Sequence, residues 1–147
     1  MKKNTFAFIM LVALSLITAN ADIKTKTGDF PEKQMKSQNK VIVKMVVEEI
    51  SRKLPQTVDK YTKFTKISNK DLTLIYTFEI DTGDKNDVDI IKQSEDRMRK
   101  VVKKGICQSS SRFLNSNINI SYVYLNANTK TKLFQFDVTK RDCQKFK

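Results

Sequence analysis

The sequence predicts an α+β domain: helix, hairpin, helix, hairpin, forming one four-stranded antiparallel sheet with two helices on one face. Three observations predict it. Apolar residues recur at three- and four-residue spacing in two segments, "VIVKMVVEEISRKL" and "DVDIIKQSEDRMRKVV". They alternate strictly in "DLTLIYTFEI" and again in "INISYVYLNA" and "KLFQFDVT". Two amphipathic helices and two half-buried hairpins bury their apolar sides most simply as two stacked layers.

Ahead of the domain, Lys2 and Lys3 precede the 13-residue apolar run "FAFIMLVALSLIT", and "ANA" follows. That is the pattern of a secretory signal peptide over residues 1–21, cut after Ala21. The apolar run is shorter than the roughly 20 residues that span a bilayer, so the remaining chain is expected to carry no transmembrane segment. No cysteine lies near the cleavage point to anchor a lipid. Export to the periplasm or the extracellular space is the expected localisation.

Residues 22–36, "DIKTKTGDFPEKQMK", are polar with a Gly and a Pro and read as a flexible N-terminal arm. The single domain is expected to fill 37–147. Its first helix places Val43, Val46, Val47, Ile50 and Leu54 on one side, and Pro55 ends it. The first hairpin joins "YTKFTKIS" to "DLTLIYTFEI" and turns near Asn69 and Lys70. The second helix presents Val88, Ile91, Met98 and Val102, with Ile90 and Val101 flanking them. Asp84 or Asn86 can cap its start, Asp87 and Asp89 charge its first turn, and Gly105 reads as a left-handed stop. A polar link, "QSSSRFLNSN", leads to the second hairpin, where Ile118, Ile120, Tyr122 and Tyr124 can pair across strands with Phe134, Phe136 and Val138.

Cys107 and Cys143 are the two cysteines of the chain. In an oxidising compartment an even pair is most simply one disulfide. It would close a loop of about 37 residues, an effect of roughly 4 kcal/mol in the chain-entropy model. With no histidine in the chain, a Cys–His dyad, a Ser-His-Asp triad and imidazole ligation of zinc are all excluded. There is no phosphate-binding glycine loop, and no cofactor is implied.

One stretch, "FEIDTGDKND", looks catalytic, because Asp81-Thr82-Gly83 spells the aspartic-protease triplet. Such enzymes need two aspartates sharing a proton, so this chain would have to act as a dimer. Asp84 stands where a small residue is usual, and no Gly-rich flap or bracing glycine element accompanies the triplet. A small hydrolase using Asp81 is therefore the alternative to a non-enzymatic reading. Asp81, Asp84, Asn86 and Asp87 also suggest a calcium loop, but the glycine comes early and Val88 replaces an alternate ligand. A turn followed by an acidic helix start accounts for all four.

The formal charge of +12 becomes +10 without the leader. Lys60, Lys63 and Lys66 surround Tyr61 and Phe64, and the second helix adds Arg99, Lys103 and Lys104. These are the candidate contacts for an anion or an acidic partner. Export argues against nucleic acid and leaves an anionic envelope polymer or a protein, as for an inhibitor, immunity or secretion-accessory factor.

"LPQTVDKYTKF", "TLIYTFEI", "VVKKGICQ" and "YVYLNANTKTKLFQFDVTKRDC" together resemble a group of small exported bacterial proteins of unassigned function. The shared features are an L-P-x-x-V-D entry to the first hairpin and a C-terminal cysteine pair. The resemblance implies architecture and export and carries over no catalytic residue.

Overall fold

The structure, a computed structural model, describes residues 32–146. The expected signal peptide and residues 22–31 of the arm lie outside the described residues. Helix α1, Glu32–Ser51, starts earlier than its apolar repeat and takes in residues 32–36, which had read as arm. Its inner side buries Val43 completely, with Val46, Val47 and Ile50 packed alongside. Asn39 also lies inward and is satisfied, its Nδ2 donating to the Ser116 carbonyl at 2.6 Å. That bond ties α1 to the start of the last hairpin. After Ser51 the chain leaves the helix before Pro55, whose ring disfavours helical geometry in the preceding residue.

Strand β1, Gln56–Thr57, has no counterpart in the sequence reading; it pairs with Phe64 and Lys63. Strands β2, Thr62–Lys70, and β3, Thr73–Ile80, form the expected hairpin. Its turn sits at Asp71, in left-handed backbone at φ 49°, rather than at Asn69 and Lys70. A bulge between Phe64 and Lys66 inserts one residue, so Phe64 and Ile67 are both buried although three positions separate them. That bulge is why this strand showed no clean alternation.

Helix α2, Asp87–Ser109, starts as its sequence requires: the Asn86 side chain accepts from the Val88 amide at 2.8 Å, with Asp87 and Asp89 in the first turn. Ile90, Ile91, Met98 and Val102 pack on the core, whereas Val88 and Val101 are exposed. Gly105 does not stop the helix. The next turn carries Ile106, which is 1% exposed, and Cys107, so burial and the disulfide hold the chain helical past the glycine. The expected polar link contains a short helix α3, Ser111–Asn115, that buries Leu114.

Strands β4, Asn119–Asn126, and β5, Lys132–Val138, complete a five-stranded sheet of order β1-β2-β3-β4-β5. The expected four-stranded, wholly antiparallel sheet is thereby corrected, because β3 and β4 run parallel. The cause is the helical crossover between them, which returns the chain to the end of the sheet where β3 began. The class remains α+β.

One sheet face carries Leu74, Tyr76 and Phe78 from β3, level with Ile120, Tyr122 and Tyr124 from β4 and with Val138, Phe136 and Phe134 from β5. Aromatic pairs run across it from Phe64–Phe78 at 5.1 Å to Phe78–Tyr124 at 5.0 Å and Phe134–Phe136 at 5.9 Å. The long helices cover this face. The structure joins Cys107 to Cys143 with Cα atoms 5.4 Å apart, pinning the 3₁₀ turn Asp142–Phe146 to α2.

Candidate protein-docking groove

Helix α1 lies over β2 and β3, and α2 lies over β5, where the Arg99 guanidinium sits 5.3 Å from the Phe136 ring centre. Between α1 and α3 this leaves an open groove of about 560 Å³. Met45, Val46 and Ile50 form one wall, Phe113 the other and Tyr76 the floor, with Glu48, Glu49 and Arg52 at the rim. Burial, and then the neighbouring Tyr122, pushes the Tyr76 hydroxyl up to about 12. Burial raises Tyr122 as well. The floor at Tyr76 is therefore a neutral aromatic surface carrying a hydroxyl group.

The groove's apolar character continues outward along α1. Met35 is 37% exposed, Val41 57%, Ile42 41% and Met45 63%. At 100° per residue these four fall on the side of the helix away from Lys33, Lys36, Lys40 and Lys44. A surface helix of a strongly basic chain thus has a side without charge from Gln34 to Met45. Large exposed apolar patches of this kind mark interaction surfaces, and methionine adapts to varied partners.

These groove residues were not among the sequence candidates. The available signal was an excess: "VIVKMVV" holds more apolar residues than one buried side can use, and Val41, Ile42 and Met45 were left without a role. Tyr76 and Phe113 carried no such signal, since facing them across the groove is a result of the fold.

The residues that sequence reading did nominate go elsewhere. Asp81 is exposed in a turn, its Oδ1 accepting from the Gly83 amide at 3.0 Å; Gly83 supplies the positive φ of 57°. Asn86 is the cap of α2. Asp87 Oδ1 accepts from Asn126 Nδ2 at 2.7 Å, and Asp84 is exposed. Among the described residues no three acidic or cysteine side chains converge as a metal site, so the calcium set is not brought together. The hub of this loop is Asn126, 4% exposed, which also donates to Thr82 Oγ1 at 3.0 Å and accepts from the Asn128 and Thr129 amides.

The basic candidates do not form one patch. Lys63 and Lys66 lie level with Glu79 and Thr77, on the sheet face opposite the helices. Lys60 Nζ lies 5.2 Å from the Tyr61 ring centre. Arg99 pairs with Glu95, and Lys103 donates to Asp142 Oδ1 at 2.9 Å. Lys104 is exposed. Charges on β2 also protect a nearly bare sheet edge against strand addition.

Among the described residues no helix is long and apolar enough to cross a membrane. No curated protein matches the chain in sequence. Three solved structures share its fold. The Pseudomonas aeruginosa protein PA3611, assigned to the secreted proteins by its description, superposes with TM-score 0.65 at 12% identity, covering 74% of this chain and 96% of that one. The Vibrio vulnificus type 2 secretion system pilotin EpsS gives TM-score 0.63 at 13% identity, covering 76% and 97%. The Vibrio cholerae type II secretion system pilotin AspS gives 0.58 at 16% identity, covering 76% and 97%. Residues 37–134 match the model of the family described as Domain of unknown function (DUF8479), and the chain belongs to that family.

Proposed function

We propose that the protein is a non-enzymatic, exported binding protein of the secretion-accessory kind, and that its groove holds an amphipathic helix of a protein partner. The observation that carries this reading is the groove itself: an open trough walled by Met45, Val46, Ile50 and Phe113 over Tyr76. A helix presenting apolar residues at i, i+3, i+4 and i+7 fills such a trough. Two proteins of similar fold are pilotins of type 2 secretion systems, which favours an accessory role over catalysis. The leader-like N-terminus and the disulfide favour export. A protein partner is preferred to an anionic polymer because the nominated cations are dispersed, and Arg99 and Lys103 are already paired.

Position-specific photocrosslinking in living cells tests the reading. A photoreactive residue at Phe113 is expected to give one discrete protein adduct, and the same residue at Val123 on the opposite sheet face none. Equal adducts from both positions, or none from Phe113, would remove the groove from the account. Asp81→Asn is expected to leave the adduct unchanged; its loss would favour the hydrolase alternative.

A further inference from the structure

The groove does not end at Tyr76. Tyr76, Phe78 and Ile80 alternate onto the helix-covered face of β3, so Tyr76 and Ile80 lie about 13 Å apart on one floor. Over Ile80 is a second cavity of about 660 Å³, walled by Ile90, Ser94 and Arg97 of α2, with Lys85 and Tyr61 at its mouth. Because α1 stands over β2 and β3 and α2 over β5, the two openings lie in line as one trough between the long helices. Val101, 67% exposed, extends the α2 wall, since Ile90, Ser94, Arg97 and Val101 follow a four-three-four spacing on one side of that helix. We infer that the partner helix of this trough carries acidic residues along its flank next to α2, held by Lys85, Arg97 and Lys104. The inference rests on the groove reading and adds to it the charge and the length of the occupant.

The cations of α2 fall into two sets. Arg99 and Lys103 lie on the far side of the helix from the trough and are paired with Glu95 and Asp142. Arg97 and Lys104 are two turns apart and in line, above the wall that faces α1. Neither they nor Lys85 form an ion pair among the described residues. Asp89 and Asp96 stand about 80° and 100° around the helix from Arg97, away from the trough. Asp81 is the one acidic side chain of the second cavity, and its Oδ1 is already engaged by the Gly83 amide. The α1 flank is balanced instead: Glu49 pairs with Lys53 and Arg52, and with Glu48 these four side chains sum to zero. Only the α2 flank is left with uncompensated charge, and a partner's carboxylates are the groups that complement it. The 13 Å between Tyr76 and Ile80 corresponds to about nine residues of helix, so one segment of two to three turns spans both openings.

Photocrosslinking in living cells, with the attachment sites mapped by mass spectrometry, tests this at both openings. Gln93 is exposed and lines the second cavity, so a photoreactive residue there leaves the cations in place. It is expected to label the same partner segment as one at Phe113, about seven to eleven residues away, with Asp or Glu within one turn of the Gln93 attachment. The double change Lys85→Glu and Arg97→Glu, at exposed positions without partners, is expected to lower the Phe113 adduct at least about fivefold with an unchanged circular dichroism spectrum. Lys66→Glu, an equal type of charge change on the opposite sheet face, is expected to leave the adduct at its wild-type level. A Phe113 adduct without a Gln93 adduct on the same segment overturns this inference and leaves the groove reading standing. So does a Phe113 adduct that survives the double reversal or falls equally with Lys66→Glu. Loss of the Phe113 adduct in the otherwise unaltered protein removes both.

Discussion

Ser121 stands on the face of β4 opposite Ile120 and Tyr122, is only 2% exposed, and its Oγ is the one buried side-chain polar atom without a hydrogen-bond partner among the described residues. Ser121→Ala removes an unsatisfied hydroxyl and leaves almost no void, so thermal unfolding is expected to show stability unchanged or raised by up to about 1 kcal/mol. Asn126 is the opposite case, with two donated and two accepted bonds that tie the loop after β3, the start of α2 and the last turn together. Asn126→Ala is expected to cost on the order of 2–4 kcal/mol in chemical denaturation, since it orphans two turn amides. Asn126→Asp keeps the acceptor but sets a carboxylate against Asp87, so its loss is expected to ease on acidification. The sequence marked neither residue: each reads as an ordinary strand position until its neighbours from distant segments are in place. Asn86, by contrast, was legible because a helix cap depends on residues only two positions away.

At the scale of elements, local rules performed well where local physics governs. The periodicity of α1 and α2, the alternation of β3, β4 and β5 and the acidic start of α2 were all readable. The misreadings occur where tertiary contacts override local preference. Gly105 stays helical because Ile106 and Cys107 beyond it are held by the core and the disulfide. The bulge in β2 conceals its register, and β1 is too short to leave a pattern. The C-terminal 3₁₀ turn offers an electrostatic test. Partial burial opposes the charge of Asp142, but Lys103 and the Thr139 amide and hydroxyl outweigh it and hold its carboxyl down at about 2. A carboxyl lowered by folding stabilises the fold above its unfolded pKa and ceases to do so as pH falls through the folded one. The difference in melting temperature between wild type and Asp142→Asn is therefore expected to be constant above about pH 5 and to shrink between about pH 4 and pH 2.

At the scale of the whole molecule, the two-layer α+β plan followed from composition and period, but the direction of one strand pair did not. Helix–hairpin rhythm is compatible with either arrangement, and only the path of the chain through α2 and α3 sets β3 parallel to β4. The groove depends on that topology, because it brings Tyr76 and Phe113 opposite α1. It was visible in sequence only as surplus apolar residues. Its central claim is that a partner helix lies there. The most direct measurement is to map, by mass spectrometry, the partner residues crosslinked from photoreactive side chains at Met45, Glu49 and Phe113. The account predicts that they fall within one partner segment at spacings of three, four or seven residues. Attachment at every second residue would indicate an added strand, and attachment scattered over several segments would indicate no defined occupant; either result would contradict it.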